Sequence, residues 1–213
     1  MSKYLAEAIA TFALVFVGAA AVLAGTGTLA IAFAHGLVLA VMIYAIAHIS
    51  GAHINPAVSI AMWATKRMKG IEAAKYVISQ LIGASVAAVI LTGIYGNVAP
   101  AVNNLAPGVS VGTGLLVEII LTFFLVFVIF ATVVDKRSNS HHAALAIGFV
   151  LIFDHIIGLS ITGSSMNPAR TFGPALASGM WANHLVYWVG PILGALVAAY
   201  LYQTVFLKKK RKR

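Results

Sequence analysis

The 213 residues are 61% hydrophobic and only 9% charged, yet carry a formal net charge of +9 and a mean hydropathy of +0.98. That composition excludes an ordinary soluble domain, and the basic surplus does not read as a nucleic-acid signal because it collects at a few places between apolar runs. The absence of cysteine excludes disulfides and leaves the compartment open.

A membrane span needs about 20 apolar residues, and six runs qualify, roughly 4–24, 29–49, 71–95, 114–134, 143–162 and 184–206. They leave no room for a soluble domain, so the expectation is one membrane domain over 1–213. The first carries Glu7 and no small-residue cleavage site, so it reads as a retained span. The second contains His35 and leads into SGAHINPAVS, where Asn55-Pro56-Ala57 has the chemistry of a helix start. Asn is a favoured N-cap, and Pro suits the first helical position because its missing N–H would be unpaired there. A short helix over 57–65 is expected, then Lys66, Arg67, Lys69 and Lys75 around the start of the third run. The fourth carries Glu118 and is followed by Lys136, Arg137 and the loop pair His141-His142, expected to be solvated. The fifth carries Asp154 and His155 and leads into TGSSMNPARTF, where Asn167-Pro168-Ala169 predicts a second short helix over 169–178. Asp154 is expected to be solvated or hydrogen-bonded in a structural role. The sixth run precedes the tail KKKRKR (208–213), read as an anchor at anionic headgroups.

Of the 14 Lys and Arg, all but Arg170 fall towards one face, and residues 25–30 and 96–113 contain none. The positive-inside rule then predicts that both termini are cytoplasmic. Arg170 is isolated from the other basic residues, and an ionisable group at membrane depth is functional by default.

The halves repeat, the first over about 1–100 and the second over about 112–207. LAEAIATFALVFV (5–17) aligns with LVEIILTFFLVFV (116–128), placing Glu7 on Glu118. One common spacing relates Asn55 to Asn167, Gly36 to Gly148 and Gly51 to Gly163. Three spans per half is odd, so the halves enter the membrane in opposite senses, as an inverted repeat. The two Asn-Pro-Ala segments then dip in from opposite faces and meet near the midplane, where non-helical backbone must be buried or line water. Matched polar breaks of this kind point to a pore or transporter. Gly36, Gly83, Gly148, Gly190 and Gly194 are spaced to let helices approach closely.

HISGAHINPAV, SMNPARTFGPA, the paired AExxAT and VExxLT helix starts, and HLVYWVGPILGA together resemble the aquaporins, the major intrinsic protein family. The resemblance covers nearly the whole chain, and PALASG with HLVYWVGP is similar to plant vacuolar-type members. It implies six transmembrane helices plus two re-entrant half-helices in an all-α membrane fold, with a pore in every subunit of a homotetramer embedded in the lipid bilayer. It further implies a passive water channel driven by osmotic gradients, excluding protons and ions. Such a protein is not an enzyme and has no cofactor, no metal and no nucleic-acid partner. Selectivity in such channels comes down to pore width, lining groups, an Arg and half-helix dipoles. Applied here, two helix N-termini, each worth about half an elementary charge, repel cations at Asn55 and Asn167, whose side chains donate to a passing water.

By the same alignment, His35, His155, Ser164 and Arg170 form a narrower filter. Backbone carbonyls of Gly51, Ala52 and His53, and of Gly163 through Ser165, face the pore, and Glu7 and Glu118 hold the re-entrant loops through backbone amides. His155 is typical of water-selective members, whereas glycerol-conducting relatives carry Gly there. Thr171 and Ala175 stand where glycerol facilitators have Asp and a basic residue, and Tyr187-Trp188 matches the aromatic pair of water channels. His35 departs from the usual Phe, and vacuolar-type members with that His usually lack the second one. Histidine titrates near physiological pH, so acidification is expected to add charge to the filter and change flow.

The nearest rival is a channel for small neutral solutes such as ammonia, peroxide or glycerol. A secondary transporter would want coupling carboxylates at the midplane, and neither Glu7, Glu118 nor Asp154 lies beside a box. A membrane enzyme with His35 and His155 as haem or metal ligands is opposed by the charge of Arg170.

Overall fold

The computed structural model describes residues 1–138 and 140–207. The tail 208–213, read above as a headgroup anchor, lies outside the described residues. The chain is helical: α1 (Ser2–Leu23), α2 (Thr28–Ser50), α3 (Pro56–Ala64), α4 (Gly70–Tyr95), α5 (Val111–Ile129), α6 (Ala143–Thr162), α7 (Pro168–Ser178) and α8 (Val186–Leu201). Among the described residues there is no strand, and six helices are long and apolar enough to cross a membrane. α5 and α8 each finish in a π-helical turn, Phe130–Val134 and Tyr202–Phe206.

The boundaries follow local chemistry. α5 starts at Val111, earlier than hydropathy suggested, because Ser110 caps it: its Oγ accepts the Thr113 N–H at 3.1 Å. α2 and α6 both stop at a glycine in the left-handed region, Gly51 (φ 87°) and Gly163 (φ 75°), which L side chains adopt at a cost. After each, the backbone alternates into the same region twice more, at Ala52 and Ile54 and at Ser164 and Met166. The two breaks are therefore one conformation used twice.

Packing obeys the repeat. α1 packs on α4 as α5 packs on α8, and α7 lies on α4 as α3 lies on α8. α2 and α6, which are equivalent, pack on each other at the centre. Gly36 and Gly148 meet there, and a Cβ on either would strike the other's carbonyl oxygen. Gly83 rests on the backbone of Ala8 and Gly194 on that of Ile119, a duplicated close approach of the kind small residues permit between membrane helices. Large side chains such as Leu5, Ile71, Ile78 and Val89 stay outward, as expected where lipid is the solvent.

Candidate functional site

Each half-helix begins on its Asn-Pro-Ala segment. Asn55 Oδ1 accepts the Ala57 N–H at 2.8 Å, and Asn167 Oδ1 accepts the Ala169 N–H at 3.0 Å. Pro56 and Pro168 occupy the first helical positions. The caps are locked across the repeat: Asn55 Nδ2 donates to the Met166 carbonyl at 2.7 Å, and Asn167 Nδ2 to the Ile54 carbonyl at 2.9 Å. The N-termini of α3 and α7 thus abut, and both positive helix ends face one locality. A carboxamide nitrogen carries two hydrogens, so each Asn keeps a second N–H for a passing acceptor. Ala57 and Ala169 are fully buried behind their caps.

The carboxylates beneath these loops carry matching bonds. Glu7 accepts from Ser50 Oγ (2.7 Å), His53 N (2.9 Å) and Ile54 N (2.7 Å). Glu118 accepts from Thr162 Oγ1 (2.7 Å), Ser165 N (2.9 Å) and Met166 N (2.7 Å). Glu7 adds a fourth donor, Gln80 Nε2 at 2.8 Å. Two tyrosines close the pattern: Tyr76 donates to the Ser50 carbonyl at 2.7 Å and Tyr187 to the Thr162 carbonyl at 2.8 Å. Sequence reasoning named the glutamates but missed Ser50, Thr162, Gln80 and Tyr76. The repeat offset was the available signal, since Ser50 aligns with Thr162 and Tyr76 with Tyr187.

A cavity of about 320 Å³ runs from a mouth near Tyr44, Ser140 and Ala143 to His35, His155 and Arg170. Its walls are mostly apolar, with Leu39, Ile43, Leu125 and Ile147 among them, opposite a polar strip of Gly51, Ala52, His53, Asn55, Ser165 and Asn167. At the far end the His35 and His155 rings stack with centroids 4.1 Å apart. Each ring uses Nδ1 on the carbonyl four residues earlier, His35 on Ile31 at 2.9 Å and His155 on Leu151 at 2.8 Å. Nδ1 is then the protonated nitrogen and Nε2 the acceptor in the neutral ring. Arg170 Nε donates to His35 Nε2 at 3.1 Å, while His155, a residue of the cavity wall, has no protein partner for its Nε2 among the described residues. Arg170 is 5% exposed.

Two expected pore groups are committed elsewhere. Ser164 does not line the cavity, and its Oγ donates to the Asp154 carbonyl at 3.0 Å. The Gly163 carbonyl, expected to face the pore, accepts from Asn103 Nδ2 at 2.7 Å. Asn103 is the residue the sequence reading missed most. Its Oδ1 accepts from Arg170 Nη1 and from Thr171 Oγ1 (2.9 Å for the latter), so a loop residue between α4 and α5 fixes the guanidinium from behind. The signal was Asn103-Asn104 in an otherwise small and apolar segment, AVNNLAPG.

Asp154 is a correction. Expected to be solvated or hydrogen-bonded, its side chain is fully buried, and neither carboxyl oxygen has a partner among the described residues. α6 turns it away from the cavity that His155 borders, because successive residues on a helix point about 100° apart. Of the loop histidines, His141 and His142 form an exposed turn, and the His141 carbonyl accepts from Tyr44 OH at 3.3 Å.

Comparison with known proteins agrees with this architecture. A model of the Major intrinsic protein family matches residues 1–202. The chain is 39% identical over 219 residues to "Probable aquaporin TIP4-1" of Oryza sativa subsp. japonica, covering 97% of this chain and 87% of that protein. It is 45% identical over 182 residues to "Aquaporin-4" of Mus musculus, covering 83% of this chain and 56% of that protein. Among solved structures, the aquaglyceroporin from Plasmodium falciparum superposes with a TM-score of 0.84 at 27% identity, over 96% of each chain. Six spans, a duplicated helix-cap pair and these matches converge: the chain belongs to the major intrinsic protein family of channels and is a multi-pass integral membrane protein.

Proposed function

We propose that the protein is a passive, water-selective channel driven by osmotic gradients, excluding protons and ions. The observation that carries this reading is the convergence of His35, His155 and Arg170 at the end of the cavity. Two bulky rings and a guanidinium narrow the end of the cavity with polar groups, and their donors and acceptors can replace the hydration of a water molecule. The fixed charge of Arg170 repels cations there, and the paired helix N-termini repel them again at the Asn caps. A water reaching Asn55 and Asn167 meets two N–H donors on adjacent caps. Its oxygen accepts from them, its hydrogens turn outward, and a proton-relaying chain of waters is interrupted.

Glu7 and Glu118 act in this reading as supports for the loops, and carbonyls of Gly51, Ala52, His53 and Ser165 as acceptors along the path. Both termini are assigned to the cytoplasm by the positive-inside rule, and a homotetramer is assigned by the family resemblance. A second reading, conduction of ammonia, peroxide or glycerol, draws on two imidazoles standing where an aromatic and one His are usual, and on the likeness to an aquaglyceroporin. Stopped-flow shrinkage of proteoliposomes separates the two. Fast water efflux under sucrose, with glycerol and proton permeability at the level of empty vesicles, is the expected result. Background water flux with accelerated solute uptake would replace the water reading with the neutral-solute one.

A further inference from the structure

We propose that the concave surface where α3 hands over to α4 is a headgroup site for an anionic phospholipid. The pocket, about 410 Å³, is lined by Trp63, Lys66, Arg67, Met68, Lys69 and Gly70. It lies on the face that carries the N-terminus and the end of α8: Lys3 pairs with Glu72, and Arg67 Nη1 donates to Gln203 Oε1 at 2.7 Å.

Three features of the pocket ask for an anion. The ion pairs among the described residues are Lys3–Glu72 and Arg137–Asp135, so the exposed charges of Lys66 and Lys69 are uncompensated. Lys69 is the N-cap of the 26-residue α4 and makes no side-chain capping bond. A cation at a helix N-terminus sits against the positive end of the dipole, a local conflict that a bound anion relieves. Glu72, the one acid in that first turn, is already engaged by Lys3 and by Tyr4 OH at 2.9 Å.

Two features select a lipid over free phosphate. Trp63 is 51% exposed, its indole edge lying over Gly70, where a Cβ would come 3.1 Å from Nε1. An outward indole beside cations is the composition of a membrane interface. From the pocket, exposed apolar side chains continue along both flanking helices, with Ile71, Ile78 and Ile82 on α4 and Tyr200 and Val197 on α8. They offer an exposed apolar surface to the acyl chains of a lipid whose headgroup the pocket takes. Basic pockets between transmembrane helices recognise anionic headgroups in this way. The site is separate from the channel cavity, and its assignment depends on the membrane fold, not on the permeant.

The test uses the full chain in phosphatidylcholine vesicles containing brominated phosphatidylglycerol or brominated phosphatidylcholine. Quenching at Trp63 is read as the difference between the wild type and Trp63→Phe. The expected result is preferential quenching by the anionic lipid, with a preference of roughly fivefold per cation. The double variant Lys66→Ala/Lys69→Ala should lower that preference by roughly twenty-five-fold at an unchanged thermal midpoint. Replacing the basic residues of 208–213 by Gln should leave it in place. Equal quenching by the two lipids, an unchanged preference in the double variant, or loss on neutralising the tail alone would overturn the proposal. So would equal competition by millimolar inorganic phosphate, which would mark a free-anion site instead.

Discussion

Arg170 is a long, flexible cation at the end of the cavity, where the proposed filter lies, and its restraint comes from groups far away in the chain. His35 accepts from Nε, and Asn103 accepts from Nη1 while donating to the Gly163 carbonyl. Asn103→Ala removes both services at a residue that is 2% exposed. Leaving a buried donor or acceptor unmade costs about 1–3 kcal/mol, so the variant should unfold at a lower temperature in detergent. With its guanidinium released, it should also pass glycerol faster relative to water than the wild type does. A variant with the wild-type midpoint and the wild-type glycerol-to-water ratio would remove Asn103 from the filter's support.

At the scale of the element, the short helices depend on the long ones. α3 and α7 are shorter than the length at which an isolated helix holds itself. They persist because caps, carboxylate anchors and close-packed neighbours define both ends. Backbone-to-backbone packing leaves some glycines no slack. A Cβ on Gly83 would strike the Ala8 carbonyl and Cα, neither of which can swing aside as a side chain can. Gly83→Ala is expected to cost about 1–3 kcal/mol, the usual range for overpacking. Gly93, on the same helix, has nothing within 4 Å of such a Cβ. There the gain in helix propensity, up to about 1 kcal/mol, is unopposed, and Gly93→Ala should be neutral or stabilising. Thermal midpoints of the two variants side by side check the pair. Equal shifts would mean that the α1–α4 approach is looser than this geometry.

For the whole molecule, Asp135 and Arg137, just past the fourth span, tie the end of α5 to the last turn of the sixth span. Asp135 accepts from Arg137 and from Tyr202 OH (3.1 Å for the latter), and Arg137 Nη2 reaches the Phe206 carbonyl at 2.7 Å. The Arg137 guanidinium beside Asp135 holds its carboxyl well below the usual carboxylate range. A carboxyl with a depressed folded pKa contributes its full stabilisation above the unfolded value, here about 3.8, and loses it as pH falls through the lower folded value. The gap in thermal midpoint between wild type and Asp135→Asn should therefore stay constant from about pH 8 to about pH 5 and narrow below about pH 4. A gap that closes between pH 7 and pH 5 would assign the tie to a histidine instead.

The sequence by itself determined the membrane class, the six spans, the duplicated halves and the position of both caps. Those properties are written locally: apolar length sets a span, Asn-Pro starts a helix, and identical residues at one offset declare a repeat. Arg170 stood out as an isolated cation at membrane depth and Glu7 and Glu118 as a matched pair in the repeat, whereas His35 and His155 were picked out through the family resemblance. Only the tertiary structure decided which polar partner each of them takes. Asn103 reaches Arg170, Gln80 reaches Glu7, Ser164 turns to the Asp154 carbonyl, and Asp154 is buried with its carboxyl oxygens unpartnered among the described residues. The pairings of Asn103 and Gln80 join segments that are neighbours in space and remote along the chain. A hydrogen bond is specified by distance and direction between two atoms, and neither quantity exists until the helices have packed.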